Sequence, residues 1–211
     1  MLHEETIEKS TLELLNKLMG DGSFSNFVLV GGTALALQIG HRTSVDLDMF
    51  SSQPFNTEEL ADYLRTNYSF ELDFISTNTV KGEINGVQVD CIAHQYPWID
   101  KSIEIGDIRL ASLSDIAAMK LNAISGNGTR IKDFIDIAYL SAQISLNQML
   151  EAYEKKYKSN TVMPLKAIVF YNDINFKEPI KMTGNKHFEW NPIEKRLRLM
   201  HKLPNKIFDS L

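Results

Sequence analysis

The chain has 211 residues, 44% hydrophobic and 23% charged, the balance of an ordinary folded protein able to bury a sizeable core. Disordered, collagen-like and coiled-coil chains are excluded, and no stretch approaches the roughly 20 uncharged apolar residues that cross a bilayer. The formal net charge of −5 argues against a non-specific RNA-binding module.

In chain order, Ile7, Leu12, Leu14, Leu15 and Leu18 predict an amphipathic helix over 4–19, ended by Gly20, Asp21, Gly22 and Ser23. Residues 27–30 read as a short apolar strand running into Gly31-Gly32, and 33–39 as a short helix closed by Gly40. Residues 44–50, SVDLDMF, alternate with the period of a strand. A helix capped by Thr57 is expected next, with Glu58 and Glu59 in its first turn. Strands follow over 71–76, 79–84 and 87–94, the last two joined by Asn85-Gly86, the preferred pair of a tight hairpin. Residues 108–111 add an edge strand. Beyond residue 114 the pattern is helical, over about 114–125, 130–143, 145–158, 162–170 and 192–203. The fold class expected is α+β, a mixed sheet with flanking helices over 1–110 and a helical half over 111–211 packed on it.

Charge follows that division. Residues 1–150 hold 10 basic and 20 acidic side chains, and residues 151–211 hold 12 and 7. The acidic part suits cations, and the basic part suits a polyanion, with Lys155, Lys156 and Lys158 as its candidate contacts. The one cysteine, Cys91, forms no internal disulfide and reads as a small buried hydrophobe. With the acidic amino end MLHEETIEKS, it points to the cytoplasm and to no membrane partner.

The chemistry concentrates in Gly31-Gly32-Thr33 and Ser44-Val45-Asp46-Leu47-Asp48. A strand ending in two glycines lets backbone approach a ligand closely, and the helix that follows presents unpaired N–H groups suited to phosphate. Alternation puts Asp46 and Asp48 on one face, where they repel unless a cation lies between them. Hard oxygen ligands of this kind suit Mg²⁺, or Mn²⁺ in its place, shared with substrate phosphates. Asp90, on the strand after the Asn-Gly turn, is the candidate third carboxylate of a two-metal site. His41 and Arg42, just before the strand, are open to two readings, a phosphate contact and a solvated loop. In the helical half, Lys120 borders the stripe of Ile116, Met119, Ala123 and Ile124, its stem on apolar surface and its amine reaching into a cleft. Asp133 and Asp136 are neighbours on the next helix and need a nearby cation, from Lys120, Arg130 or Lys132. An ion pair joining the two helices and a functional site are both open on this pattern. The aromatic cluster Phe170, Tyr171, Phe176, Phe188 and Trp190 reads as core or interface.

The strand–GG–helix–DxD order resembles the DNA polymerase β-like nucleotidyltransferase superfamily. The string GGTALALQIGHRTSVDLDMF is similar to the AbiEii/AbiGii toxin branch, as are MKLNAISGNGTRIKDFIDIAYL and LKAIVFYNDINFKEPIKM with Trp190 downstream. Arg130 stands slightly later than the basic residue of that pattern. The resemblance implies a metal-dependent nucleotidyltransferase that moves NMP from an NTP to an acceptor hydroxyl on a tRNA or protein. It implies Gly31, Gly32, Thr33, Ser44, Arg42 and Lys120 at the triphosphate, and Asp46, Asp48 and Asp90 as metal ligands. Asp133 would orient or deprotonate the acceptor, and a cognate antitoxin would be the partner. The alternatives are an aminoglycoside-type small-molecule nucleotidyltransferase and an inactive nucleotide-binding protein on the same scaffold.

Overall fold

The computed structural model describes residues 2–184 and 187–211. The chain forms two compact units, one of Met1–Pro97 with Ser102–Ala111 and the other of Trp98–Lys101 with Ser112–Leu211. Among the described residues no helix is long and apolar enough to cross a membrane.

The first unit is built on a mixed seven-stranded sheet. Its strands are β1 (Val28–Leu29), β2 (Leu47–Ser51), β3 (Glu71–Ser76), β4 (Thr79–Ile84), β5 (Val87–Ala93), β6 (Ile103–Ile105) and β7 (Ile108–Leu110). They lie in the order β3-β4-β5-β2-β1-β7-β6. β2 runs parallel to β5 and β1 parallel to β7; the other neighbours are antiparallel. The helices of this unit are α1 (Lys9–Met19), α2 (Gly31–Ile39) and α3 (Thr57–Tyr68).

Several boundaries differ from expectation, each for a local reason. The first helix is split: Glu4–Thr6 make a 3₁₀ turn, Ile7 is extended, and α1 starts at Lys9. The Thr6 carbonyl accepts from the Ser44 amide (2.9 Å), a bond that continuous helix would forbid. β2 begins at Leu47 rather than at residue 44, because the segment before it bonds to the start of α2 instead of to a neighbouring strand. Asn56, not Thr57, caps α3, accepting from the amides of Glu58 (3.2 Å) and Glu59 (3.3 Å). β7 is not an edge strand: it lies between β1 and β6, and the edge is β6, which the pattern did not mark. The Arg109 guanidinium of β7 donates to the carbonyls of Met19, Phe24 and Phe27, fastening the chain between α1 and β1.

The hairpin β4–β5 matches expectation at its turn and in β4, and β5 ends at Ala93, one residue short of the expected strand. Asn85 (φ 51°) and Gly86 (φ 83°) both occupy the left-handed region, as a type I′ turn demands. That turn pairs Ile84 with Val87 and so sets the whole register, including Lys81 opposite Asp90. Leu47, Met49, Val89 and Cys91 are fully buried on one face of the sheet, which leaves Asp48 and Asp90 to the other.

The second unit is helical: α4 (Leu113–Gly126), α5 (Ile131–Leu140), α6 (Leu146–Tyr157), α7 (Val162–Ala167) and α8 (Trp190–Lys202). α4 is the centre, packing on α5, α6 and α7, while α8 packs on α5. Ser112 caps α4 by accepting from the Asp115 amide, and Ser145 with Gln148 forms a reciprocal capping box on α6. Ile116, Leu121, Phe134, Ile137, Met149 and Leu197 make its core.

Candidate functional site

In the first unit the site grows from the junction of β1 and α2. Gly31 has φ +69°, and a Cβ there would strike the Asp48 carboxylate; a Cβ on Gly32 would strike the Arg42 guanidinium and approach Ser44 Oγ to 3.2 Å. Gly31 is therefore required by its conformation, and at Gly32 a side chain would have to displace the Arg42 guanidinium. Asp48, Arg42 and Ser44 thus close around a glycine pair whose helix carries no side-chain cap. The first-turn amides of α2 lack intrahelical acceptors, which makes this end a place for anionic oxygen.

Thr33 and Arg42 are less open than expected, with 1% and 2% of their surface exposed. The Thr33 hydroxyl donates to the Asp46 carbonyl and lies 2.9 Å from Ser44 Oγ. A hydroxyl has one proton, so Ser44 is the donor in the second bond. Together they fix the backbone just before β2. Arg42 Nη1 donates to the Thr43 carbonyl (3.0 Å), holding the guanidinium beside Gly32.

Asp48 and Asp90 are register partners on the parallel pair β2–β5, and Lys81 is the register partner of Asp90 on β4. The three make one row across three strands. Lys81 Nζ forms an ion pair with Asp90 Oδ2. Asp46 stands one residue before β2 and is exposed. Among the described residues no three acidic, histidine or cysteine side chains gather closely enough to cage a metal ion. The expected Asp46, Asp48 and Asp90 trio is therefore not drawn together in this structure, and Lys81 already balances one of its members. The donor set nonetheless suits Mg²⁺ or Mn²⁺ chemically. Mg²⁺ is held by one or two carboxylates plus substrate phosphates and water more often than by an all-protein cage. Cys91 is fully buried on the opposite face, and burial pushes its thiol well above the usual range, which removes it as a nucleophile.

In the second unit Lys120 is not a border residue. It is 5% exposed, and its ammonium contacts Asp133 Oδ1 (2.6 Å) and Asp136 Oδ2 (2.8 Å). Arg130 Nε stands 4.0 Å from the other Asp133 oxygen, so two carboxylates share one buried ammonium and one exposed guanidinium. Lys156, expected on a solvated basic face, is also buried: its Nζ lies 2.9 Å from Asp115 Oδ1 and over the Trp98 ring. Asp115 further accepts from the Ile99 amide and the Ser112 hydroxyl, tying Trp98–Lys101 to α4. Trp190, half-buried, meets Phe134, Tyr171 and Phe176 edge-on, while Phe170 and Phe176 are exposed, so the aromatic cluster is only partly buried.

Lys81 and Asp115 are absent from the sequence-based candidates, and Lys156 is placed there on the wrong, solvated face. Lys81 was within reach, because counting back from the Asn85-Gly86 turn puts it opposite Asp90. Asp115 carries the signature of a helix start, three residues after Ser112. Lys156 gives no signal, since nothing local tells a buried lysine on an amphipathic helix from a solvated one.

Comparison with known proteins agrees with this geometry. The family model described as "Nucleotidyl transferase AbiEii toxin, Type IV TA system" matches residues 13–106 and 94–202. An Aquifex aeolicus protein, aq_aa25, described as uncharacterized, is 29% identical over 175 residues, covering 79% of this chain and 84% of that protein. A crystal structure of a candidate nucleotidyltransferase from H. pylori superimposes with a TM-score of 0.55 at 18% identity, covering 93% of this chain and 96% of that one. At that identity the likeness is one of fold. A second H. pylori structure, JHP933, gives a TM-score of 0.49 at 15% identity, covering 93% and 94%.

Proposed function

The chain belongs to the AbiEii nucleotidyltransferase toxin family of type IV toxin–antitoxin systems, and on that premise we propose that it transfers NMP from an NTP to a hydroxyl of a tRNA or a protein. The acceptor oxygen forms a bond to the α-phosphorus, the bond from that phosphorus to the β-phosphate oxygen breaks, pyrophosphate leaves, and the hydroxyl proton passes to solvent. A cognate antitoxin is the expected partner.

The observation that carries this reading is the glycine pair closed by Asp48 and Arg42. Gly31 and Gly32 present backbone amides to the triphosphate, with no Cβ to hold it away. Arg42 supplies positive charge beside Gly32, where a phosphate oxygen gains a charge-assisted bond. Thr33 and Ser44 act by fixing the Asp46 backbone rather than by touching the nucleotide. Asp48, its register partner Asp90, and Asp46 just before β2 are the residues that would hold Mg²⁺ or Mn²⁺. Such an ion neutralises charge on the transferring and leaving phosphates. The chain's own contribution is to orient the phosphate and to keep its negative charges matched. Lys120 and Asp133 we assign to joining α4 and α5, because each is already engaged by a buried partner of opposite charge.

Calorimetric titration with each NTP in Mg²⁺ tests the reading. The wild-type protein should bind at least one NTP only when the divalent ion is present, and Asp48→Asn should lose that dependence. Equal affinity with and without the ion, in both proteins, would refute it.

A further inference from the structure

The charge row across β2, β5 and β4 has a consequence beyond the nucleotide site. Asp48, Asp90 and Lys81 are consecutive register partners, and neighbouring strands lie about 4.8 Å apart. Two like charges in adjacent register positions destabilise a sheet unless a cation answers them. Here the answer is within the chain: the Lys81 ammonium is paired with Asp90. The row cannot turn away from this arrangement, because Val89 and Cys91 hold the other face of β5 in the core and the type I′ turn pins β4 against it. Lys81 is nonetheless not trapped. Its side chain is 39% exposed and that of Asp90 22%, so the ammonium has room to leave the carboxylate.

We infer that Lys81 is a positioning residue that occupies Asp90 in the metal-free protein, so that a divalent ion gains Asp90 as a ligand only when a triphosphate draws the ammonium away. The inference rests on the metal-site reading above. An ammonium and a divalent cation repel at this range, and they compete for one carboxylate. The free protein should therefore bind a divalent ion weakly through Asp46 and Asp48, and ion and nucleotide should enter interdependently.

The test is calorimetric and electron-paramagnetic-resonance titration with Mn²⁺ alone, without nucleotide, on folded protein. Lys81→Met should bind Mn²⁺ about tenfold or more tightly than the wild type, and Lys81→Arg, which keeps the charge, should match the wild type. The gain should vanish in the double variant Lys81→Met/Asp90→Asn. Lys81→Gln repeats the first arm should the methionine variant lose its fold, which a thermal melt reports. Unchanged affinity in Lys81→Met, with binding still abolished by Asp48→Asn, would overturn the role of Lys81 and leave the metal site standing. A gain that survives Asp90→Asn would overturn it too. Mn²⁺ binding indifferent to Asp48→Asn, or no binding in any variant, would overturn both readings.

Discussion

Replacing Lys120 by methionine should unfold the second unit far more readily than replacing a surface lysine would. Methionine keeps the length of the stem and removes only the charge. In the native protein the ammonium is 2.6 Å from Asp133 and 2.8 Å from Asp136, whose side chains are 4% and 0% exposed. Without it, two carboxylates lose their shared buried ammonium in a low-dielectric interior, and the exposed Arg130 stands 4.0 Å from Asp133. Breaking a buried pair by removing one partner costs about 3–5 kcal/mol, which lowers Tm by roughly 6–20 °C for a chain of this length. The two aspartates are not equivalent. Either change leaves Lys120 one carboxylate, and Asp136→Asn should cost more than Asp133→Asn because Asp136 is the more deeply buried of the two. Thermal denaturation followed by circular dichroism gives all three values, and a double-mutant cycle of Lys120 with Asp136 isolates their coupling. A Tm for Lys120→Met within about 2 °C of the wild type, together with a large loss of nucleotidyl transfer, would refute the structural assignment and restore Lys120 to the reaction.

Three further outcomes follow from the first unit. Gly31→Ala meets both the left-handed φ and the Asp48 carboxylate; it should lower stability by about 1 kcal/mol or more and abolish NTP binding, read by a thermal melt and by calorimetry. Burial raises the Asp21 carboxyl, but hydrogen bonds from Tyr68, the Ser23 amide and Tyr63 together outweigh it and hold the group below its ordinary 3.8. Its contribution is therefore complete above that value and lost as pH falls through the lower folded one, so the Tm deficit of Asp21→Ala at pH 7 should shrink on acidification below pH 4; a deficit independent of pH would contradict this. The Cys91 thiol, buried and held protonated, should resist Ellman's reagent in the native protein and react fully in denaturant; prompt native reaction would show that β5 opens.

What the sequence reveals of this molecule follows the range of the interactions involved. The turn and register of the β4–β5 hairpin are legible because Asn85-Gly86 encodes its own turn and the register then counts outward. The strand-to-helix junction at Gly31-Gly32 is legible because a glycine pair there marks a left-handed turn or a close approach, and Gly31 shows both. β2 is misplaced by three residues, since the bonds that keep Ser44 out of the sheet come from Thr6 and those that hold Asp46 come from Thr33. β6 escapes notice because Ile103–Ile105 is three exposed residues whose only partner is β7. The buried states of Lys120 and Lys156 escape for the same reason. Periodicity marks each as a polar residue beside an apolar stripe, and only the position of Asp136 or Asp115 decides that it turns inward.

The most direct measurement of the central claim is a transfer assay with NTPs labelled at either the α- or the γ-phosphate. Each is incubated with the protein, Mg²⁺ or Mn²⁺, and total RNA or cell lysate, beside an Asp48→Asn control. α-Label from at least one NTP should become attached to RNA or protein, with release of pyrophosphate, γ-label should not, and Asp48→Asn should abolish the transfer. Transfer of γ-label, or α-labelling that persists undiminished in Asp48→Asn, would contradict that claim.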